Sequence, residues 1–151
     1  MKLITAPKYI VAGCYRYESL FIGGGITNCP DWQKEIIKYF EDTDLCLFNP
    51  RRENFDLSDK NASDIQIEWE HYYLSFCDMI LFWFPEETMC PITLYELGKY
   101  TSTNKKVFVG CHPNYPRKFD VVKQLSLSRP DIEVVFDIES LANQVKKYEY
   151  K

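Results

Sequence analysis

Short runs of continuous apolar residues alternate along this chain with longer stretches whose apolar residues recur every three or four positions. The first pattern fits strands covered on both faces, and the second fits helices with one buried stripe. Their alternation is the signature of βαβ units around a parallel sheet. Residues 20–22 read as a first strand opening into Gly23-Gly24-Gly25, and residues 31–41 as a helix with Trp32, Ile36, Ile37 and Phe40 on one stripe. Residues 45–48 form a second strand, ended by Asn49-Pro50. Residues 51–60 follow as a polar segment without periodicity, long enough to suggest a functional loop. A second helix is predicted over 61–77, with Ser63 or Asp64 near its cap and Ile65, Trp69, Tyr72, Tyr73 and Phe76 on its buried side. The run 79–84 is the central strand. Pro91 then opens a third helix reaching about Thr101, its fixed φ suiting a first helical position. Strand 106–110, helix 119–127, strand 132–136 and helix 138–147 complete five strands and five helices. The expected architecture is α/β, a flavodoxin-like doubly wound parallel sheet of order 2-1-3-4-5. Residues 1–19 form an N-terminal extension, read as a hairpin or an extra edge strand.

With 151 residues, 46% of them hydrophobic and 16% aromatic, the chain suffices for one core and reads as a single domain over 1–151. A net charge of −4 argues against polymeric nucleic acid, whose affinity comes from clustered Lys and Arg. No segment approaches the roughly 18 apolar residues that span a bilayer, and the N-terminus lacks a leader's apolar core. A cytoplasmic protein is expected. The six cysteines are irregularly spaced, with no C-x-x-C pair, and only two histidines, His71 and His112, accompany them. They read as reduced, buried thiols, with metal binding as a weak alternative.

In a doubly wound sheet the ligand lies over the carboxyl ends of the strands flanking the switch point. That rule gathers Gly23-Gly24-Gly25-Ile26-Thr27-Asn28, where missing side chains let backbone amides approach a ligand, although Asn28 breaks the dinucleotide fingerprint. It also gathers Cys90-Pro91-Ile92-Thr93-Leu94-Tyr95-Glu96-Leu97-Gly98, the start of the third helix. Glu70 lies eight residues before Asp78, on the half of the second helix nearer the strands' carboxyl ends. Glu70 and Glu96 can therefore face one pocket. Paired carboxylates beside an apolar, aromatic-rich wall suit glycosyl transfer, one meeting the anomeric carbon and the other the leaving group's proton. Trp32, Trp69, Trp83 and Phe84 are available to stack on a flat base or to fill the core. Arg51-Arg52 can meet a phosphate bidentately or pair with Glu53 and Asp56. No Ser-His-Asp template is present.

These segments resemble the nucleoside 2-deoxyribosyltransferases, and more closely their nucleoside 2-deoxyribosyltransferase-like branch, over about residues 19–127. The landmarks are Phe21-Ile22-Gly23-Gly24-Gly25-Ile26-Thr27-Asn28-Cys29-Pro30-Asp31-Trp32-Gln33, Asn49-Pro50-Arg51-Arg52, Gln66-Ile67-Glu68-Trp69-Glu70, Phe82-Trp83-Phe84-Pro85 after Asp78, and Pro91 to Gly98. The resemblance implies that Glu96 is the nucleophile that captures deoxyribose and that Glu70 handles the nucleobase. It implies that Asp120 completes a neighbouring subunit's pocket, so that the protein is a homo-oligomer, a dimer or higher, without metal or organic cofactor. Two positions depart from the pattern. Cys90 stands six residues before the nucleophile, where characterised transferases carry Asp and a related nucleotide hydrolase carries Ser, and Phe21 replaces a Tyr whose hydroxyl touches the nucleophile.

The leading expectation is transfer of deoxyribose between nucleobases through a covalent intermediate on Glu96, with Glu70 as the proton donor. The partners expected are a nucleoside or nucleotide and a free nucleobase. Gly23, Gly24 and Asp31 would shape the sugar end, with Cys90 and Asn49 among the contacts, and Trp32, Trp69 and Phe84 would flank the base. Two rivals are a hydrolase acting on a nucleoside 5′-monophosphate held by Arg51 or Arg52, and a catalytically silent nucleotide-binding sensor.

Overall fold

The computed structural model describes residues 1–10, 17–53 and 58–149. The elements follow in the order β1 (Lys2–Thr5), β2 (Ser19–Gly24), α1 (Trp32–Lys38), β3 (Cys46–Asn49), α2 (Lys60–Phe76), β4 (Met79–Phe84), α3 (Pro91–Thr101), β5 (Lys106–Cys111), α4 (Lys118–Ser128), β6 (Val134–Val135) and α5 (Ile138–Glu149). All strand pairs are parallel, in the order β1-β3-β2-β4-β5-β6. The predicted order 2-1-3-4-5 is present as β3-β2-β4-β5-β6, with the switch point between β2 and β4.

Among the described residues the sheet has six strands, the five expected plus β1, because the extension takes the second of its two expected forms, a parallel edge strand on β3 with Lys2 opposite Cys46 and Thr5 opposite Asn49. Four residues with only partial burial leave almost no period to read. Helix α1 is shorter than the predicted 31–41, because beyond Lys38 the Tyr39 and Phe40 amides donate to Ile36 and Ile37 carbonyls three residues back, tightening the turn. Helix α2 begins earlier than expected. Its cap is Asp59, whose Oδ1 accepts from the Asn61 and Ala62 amides, rather than Ser63 or Asp64. The last strand shrinks from 132–136 to Val134–Val135.

Alternate residues of the central strands feed two cores, as a period of two requires. Ile80, Phe82 and Phe84 of β4 pack with α2, α3 and α4 through Trp69, Tyr73, Leu97, Tyr100, Val121 and Leu125. Met79, Leu81 and Trp83 face α1 and α5 through Trp32, Ile36, Leu141 and Val145. Every residue of β4 is buried, which explains its continuous apolar run. Of the described cysteines, Cys46, Cys77, Cys90 and Cys111 are buried and Cys29 half-buried, all as free thiols, while Cys14 lies outside the described residues. Among the described residues no helix is long and apolar enough to cross a membrane.

Where β2 ends, the backbone runs against its neighbours. A Cβ on Gly24 would lie 2.3 Å from the Trp83 carbonyl oxygen and 2.4 Å from Cζ2 of Trp32. Neither obstacle can swing away cheaply, since one is backbone in the sheet and the other a buried indole. Gly24→Ala is expected to cost about 3 kcal/mol, at the upper end of overpacking penalties. Urea unfolding of the variant measures it, and a loss under roughly 1 kcal/mol would contradict this packing.

Candidate active site

The carboxyl ends of β2 and β3 and the segments flanking α2 and α3 enclose one cavity of about 430 Å³, a size suited to a small organic ligand. Its floor is Phe21 and the glycine run Gly23-Gly24-Gly25, whose backbone is open to the cavity because no side chain covers it. Ile26 and Thr27 continue that wall. Pro50 and Arg52 enter after β3, Ser63, Gln66, Ile67 and Glu70 project from α2, and Thr88, Cys90, Pro91, Ile92, Thr93 and Glu96 come from the start of α3.

Glu70 and Glu96, predicted to share a pocket, both line this cavity. Helical spacing explains how each helix presents its set: Ser63, Gln66, Ile67 and Glu70 recur at three and four residues on α2, as do Ile92, Thr93 and Glu96 on α3. Burial is the larger cause that pushes the Glu96 carboxyl up to about 8, and the neighbouring charge of Glu70 adds to it, with Lys99 opposing. Burial also raises Glu70, partly offset by a hydrogen bond from the Gln66 Nε2, which donates to Glu70 Oε1 at 2.7 Å. The Glu96 carboxyl therefore keeps a proton at neutral pH, and the titration of the pair belongs to both groups together.

Cys90 adopts φ 48° and ψ 53°, a left-handed conformation that costs a non-glycine residue roughly 1–2 kcal/mol. Its thiol lines the cavity, donates to the Thr88 carbonyl at 3.5 Å, and is pushed by burial up to about 12. At physiological pH it is a neutral wall and not a nucleophile. The segment before α3 is pinned from below, where the buried Tyr115 hydroxyl donates to the Met89 carbonyl at 2.9 Å.

Among the predicted site residues, Gly23, Gly24, Cys90, Glu70 and Glu96 line the cavity, and the others do not. Trp32 is buried beneath the glycine run, its indole N–H donating to the Gly25 carbonyl at 2.8 Å. Trp69 donates to the Lys8 carbonyl and packs on Tyr73 in the core, and Phe84 packs on Tyr115. Aromatic identity alone does not say which face of an element a ring serves. Asn49 Oδ1 accepts from the Arg51 amide, and Asp31 caps α1 by accepting from the Lys34 amide. Arg51 binds the Pro30 carbonyl at 2.9 Å, the Cys29 carbonyl at 3.0 Å and Gln33 Oε1 at 3.1 Å, with Asp31 3.7 Å away. It fastens the loop after β2, while Arg52 is the cation in the lining. The pairing with Asp56 lies outside the described residues. Asp120 sits in the first turn of α4, half-exposed and paired with Arg117 at 3.1 Å.

A sequence model of the family described as nucleoside 2-deoxyribosyltransferase like matches residues 17–115. The chain belongs to this family. The matched span contains every cavity-lining residue. No curated protein matches the chain at a significant level. Three polar lining residues that sequence reading did not place in the site, Gln66, Ser63 and Thr93, stand one or two turns before the two glutamates, and helical spacing counted back from those glutamates finds them.

The raised Glu96 has a consequence for stability. Its ordinary value is 4.5 and its folded value about 8, so between these the native chain keeps a proton that the unfolded chain has released. That contribution is present at low pH and fades as pH rises through about 8. Glu96→Gln removes the dependence. The variant is expected to match the parent's melting temperature near about pH 5 and to exceed it increasingly toward about pH 9, which thermal unfolding across that range measures.

Proposed function

We propose that this protein transfers 2-deoxyribose between nucleobases, with Glu96 as nucleophile and Glu70 as general acid and base. The observation that carries the reading is the pair itself, two carboxyls from successive helices lining one cavity, both pushed up by burial. The chemistry needs one of each form. Ionised Glu96 attacks C1′ of a 2′-deoxynucleoside, the N-glycosidic bond breaks, and its electron pair leaves on the base nitrogen, which takes the Glu70 proton. A second base then attacks C1′ through its own nitrogen and surrenders a proton to Glu70, and the C1′–Glu96 bond breaks. Burial and the charge of Glu70 hold a proton on Glu96 up to about pH 8. The reactive form differs only in that proton's position, and positive charge developing at C1′ favours the Glu96 anion.

The glycine run and the neutral Cys90 thiol form the sugar end in this reading, and Phe21, Ile67 and Ile92 supply apolar walls for the base. Trp32, Trp69, Phe84, Asn49, Arg51 and Asp31 act behind them as the frame. A homo-oligomer is part of the proposal. Helix α3 exposes Ile92 and Tyr95 at 63% and 69% and α4 exposes Phe119, the neighbour of Asp120, at 78%, apolar side chains that a second subunit would cover. Arg52 in the lining supports a second reading, hydrolysis of a nucleoside 5′-monophosphate with water as the acceptor. Product analysis with and without an acceptor base separates the two.

Incubation with a panel of 2′-deoxynucleosides and free adenine is expected to yield new deoxynucleosides by chromatography. Glu96→Ala is expected to lower the exchange rate by at least ~10³-fold, and Glu70→Gln by about 10²–10⁴-fold. Exchange by Glu96→Ala at the parent rate would remove the mechanism. The rate is also expected to fall above about pH 8, where the pair loses its last proton. A rate that keeps rising through that region would mean that no proton on the pair is needed.

A further inference from the structure

Gln66 is nine-tenths buried and stands one turn before Glu70 on α2, in the cavity wall. Its side-chain Nε2 lies 2.8 Å from the Pro50 carbonyl oxygen and 2.7 Å from Glu70 Oε1. A backbone carbonyl can only accept, so the atom facing Pro50 must be the NH₂ group. With the opposite amide orientation, three oxygens would face one another with at most one proton among them. The Pro50 carbonyl thus fixes the amide at any protonation state of Glu70. Gln66 Oε1, by contrast, is buried with no donor among the described residues. The fold tolerates an unmet acceptor, a cost of about 1–3 kcal/mol, while both N–H groups stay engaged.

We infer that Gln66 is a positioning residue that holds Glu70 Oε1 permanently as an acceptor, so that Glu70 carries its proton only on Oε2 and the pair's resting proton is directed to Glu96. The inference deepens the glycosyl-transfer reading and rests on it for its catalytic meaning. The proton's location itself is independent of that reading. A fixed N–H donor favours the ionised Glu70, because a charge-assisted hydrogen bond is lost on protonation. It also removes one of the two oxygens at which Glu70 could otherwise deliver a proton, so the acid presents a single geometry to the leaving base. The charged or titratable groups facing the pair are Arg52 after β3, the Cys90 thiol ahead of α3, and Lys99 on α3 beyond Glu96. All are unchanged by substitution at position 66.

The test is a carboxyl-carbon NMR titration of the unliganded protein labelled in its glutamates, comparing parent and Gln66→Met, a variant of similar shape that cannot donate. The Glu70 midpoint is expected to rise and the Glu96 midpoint to fall, the proton passing from one carboxyl to the other. The high-pH limb of exchange turnover should be displaced along with them, a shift that a merely structural role for Gln66 would not produce. Unmoved midpoints in the folded variant would overturn the inference. Should the variant not fold, the parent protein still decides. Its Gln66 side-chain amide resonances should track the Glu70 titration without exchanging places, and amide resonances indifferent to that titration would overturn the inference equally. If the midpoints move as expected while no deoxynucleoside is ever converted, the proton arrangement stands and the glycosyl-transfer reading falls.

Discussion

Two carboxyl groups half-buried in one cavity cannot both hold a full negative charge without a desolvation and repulsion cost. Here Glu70 and Glu96 are placed together by the packing of α2 and α3 on one face of the sheet, and the fold answers the conflict by keeping one proton on the pair. The rest of the site follows from this constraint. The Gln66 amide meets one Glu70 oxygen, Lys99 partly offsets the pressure on Glu96, and Arg52 brings the positive charge of the lining. A shared proton destabilises the chain at high pH and at the same moment supplies an acid and a nucleophile side by side. Stability and the proposed chemistry draw on the same interaction with opposite signs.

The cavity is kept open by a frame that does not touch its contents. Trp32 from α1 bonds the Gly25 carbonyl and fills the space a Cβ on Gly24 would occupy, so the glycine run is held flat against β4. Arg51 binds two carbonyls and Gln33, and Gln33 in turn reaches Gly25 at 3.3 Å, joining the loops after β2 and β3. The Tyr115 hydroxyl holds the segment ahead of α3, where Cys90 takes its left-handed turn. Rigid support of this kind lets a site position reacting groups without ligand contacts of its own.

The strand order around the switch point was legible because the β4 run is continuous, as a strand buried on both faces must be, and because the flanking stretches carry helical stripes. That placement was enough to bring Glu96 and Glu70 to one cavity. What sequence could not supply was the direction of each ring. Trp32, Trp69 and Phe84 belong to elements with a buried face on either side of the sheet, and period alone assigns them to a core without naming which one. Arg51 and Arg52 are adjacent in sequence yet diverge, one into the frame and one into the cavity, a choice made by tertiary contacts with Pro30 and Gln33. The choice between hairpin and edge strand for the N-terminal extension stayed open, and the Asp59 cap escaped, for a simpler reason, since a four-residue strand and one of several capping-competent side chains leave no distinguishing pattern.

The central claim is that Glu96 bonds covalently to the sugar. Mass spectrometry of protein acid-quenched after brief exposure to a 2′-deoxynucleoside, followed by peptide mapping, addresses it directly. The account predicts a mass increase of one deoxyribosyl group on the peptide containing Glu96, lost on adding a free base and absent in Glu96→Gln. Free base released over many turnovers with no such adduct, or an adduct that persists in Glu96→Gln, would contradict it.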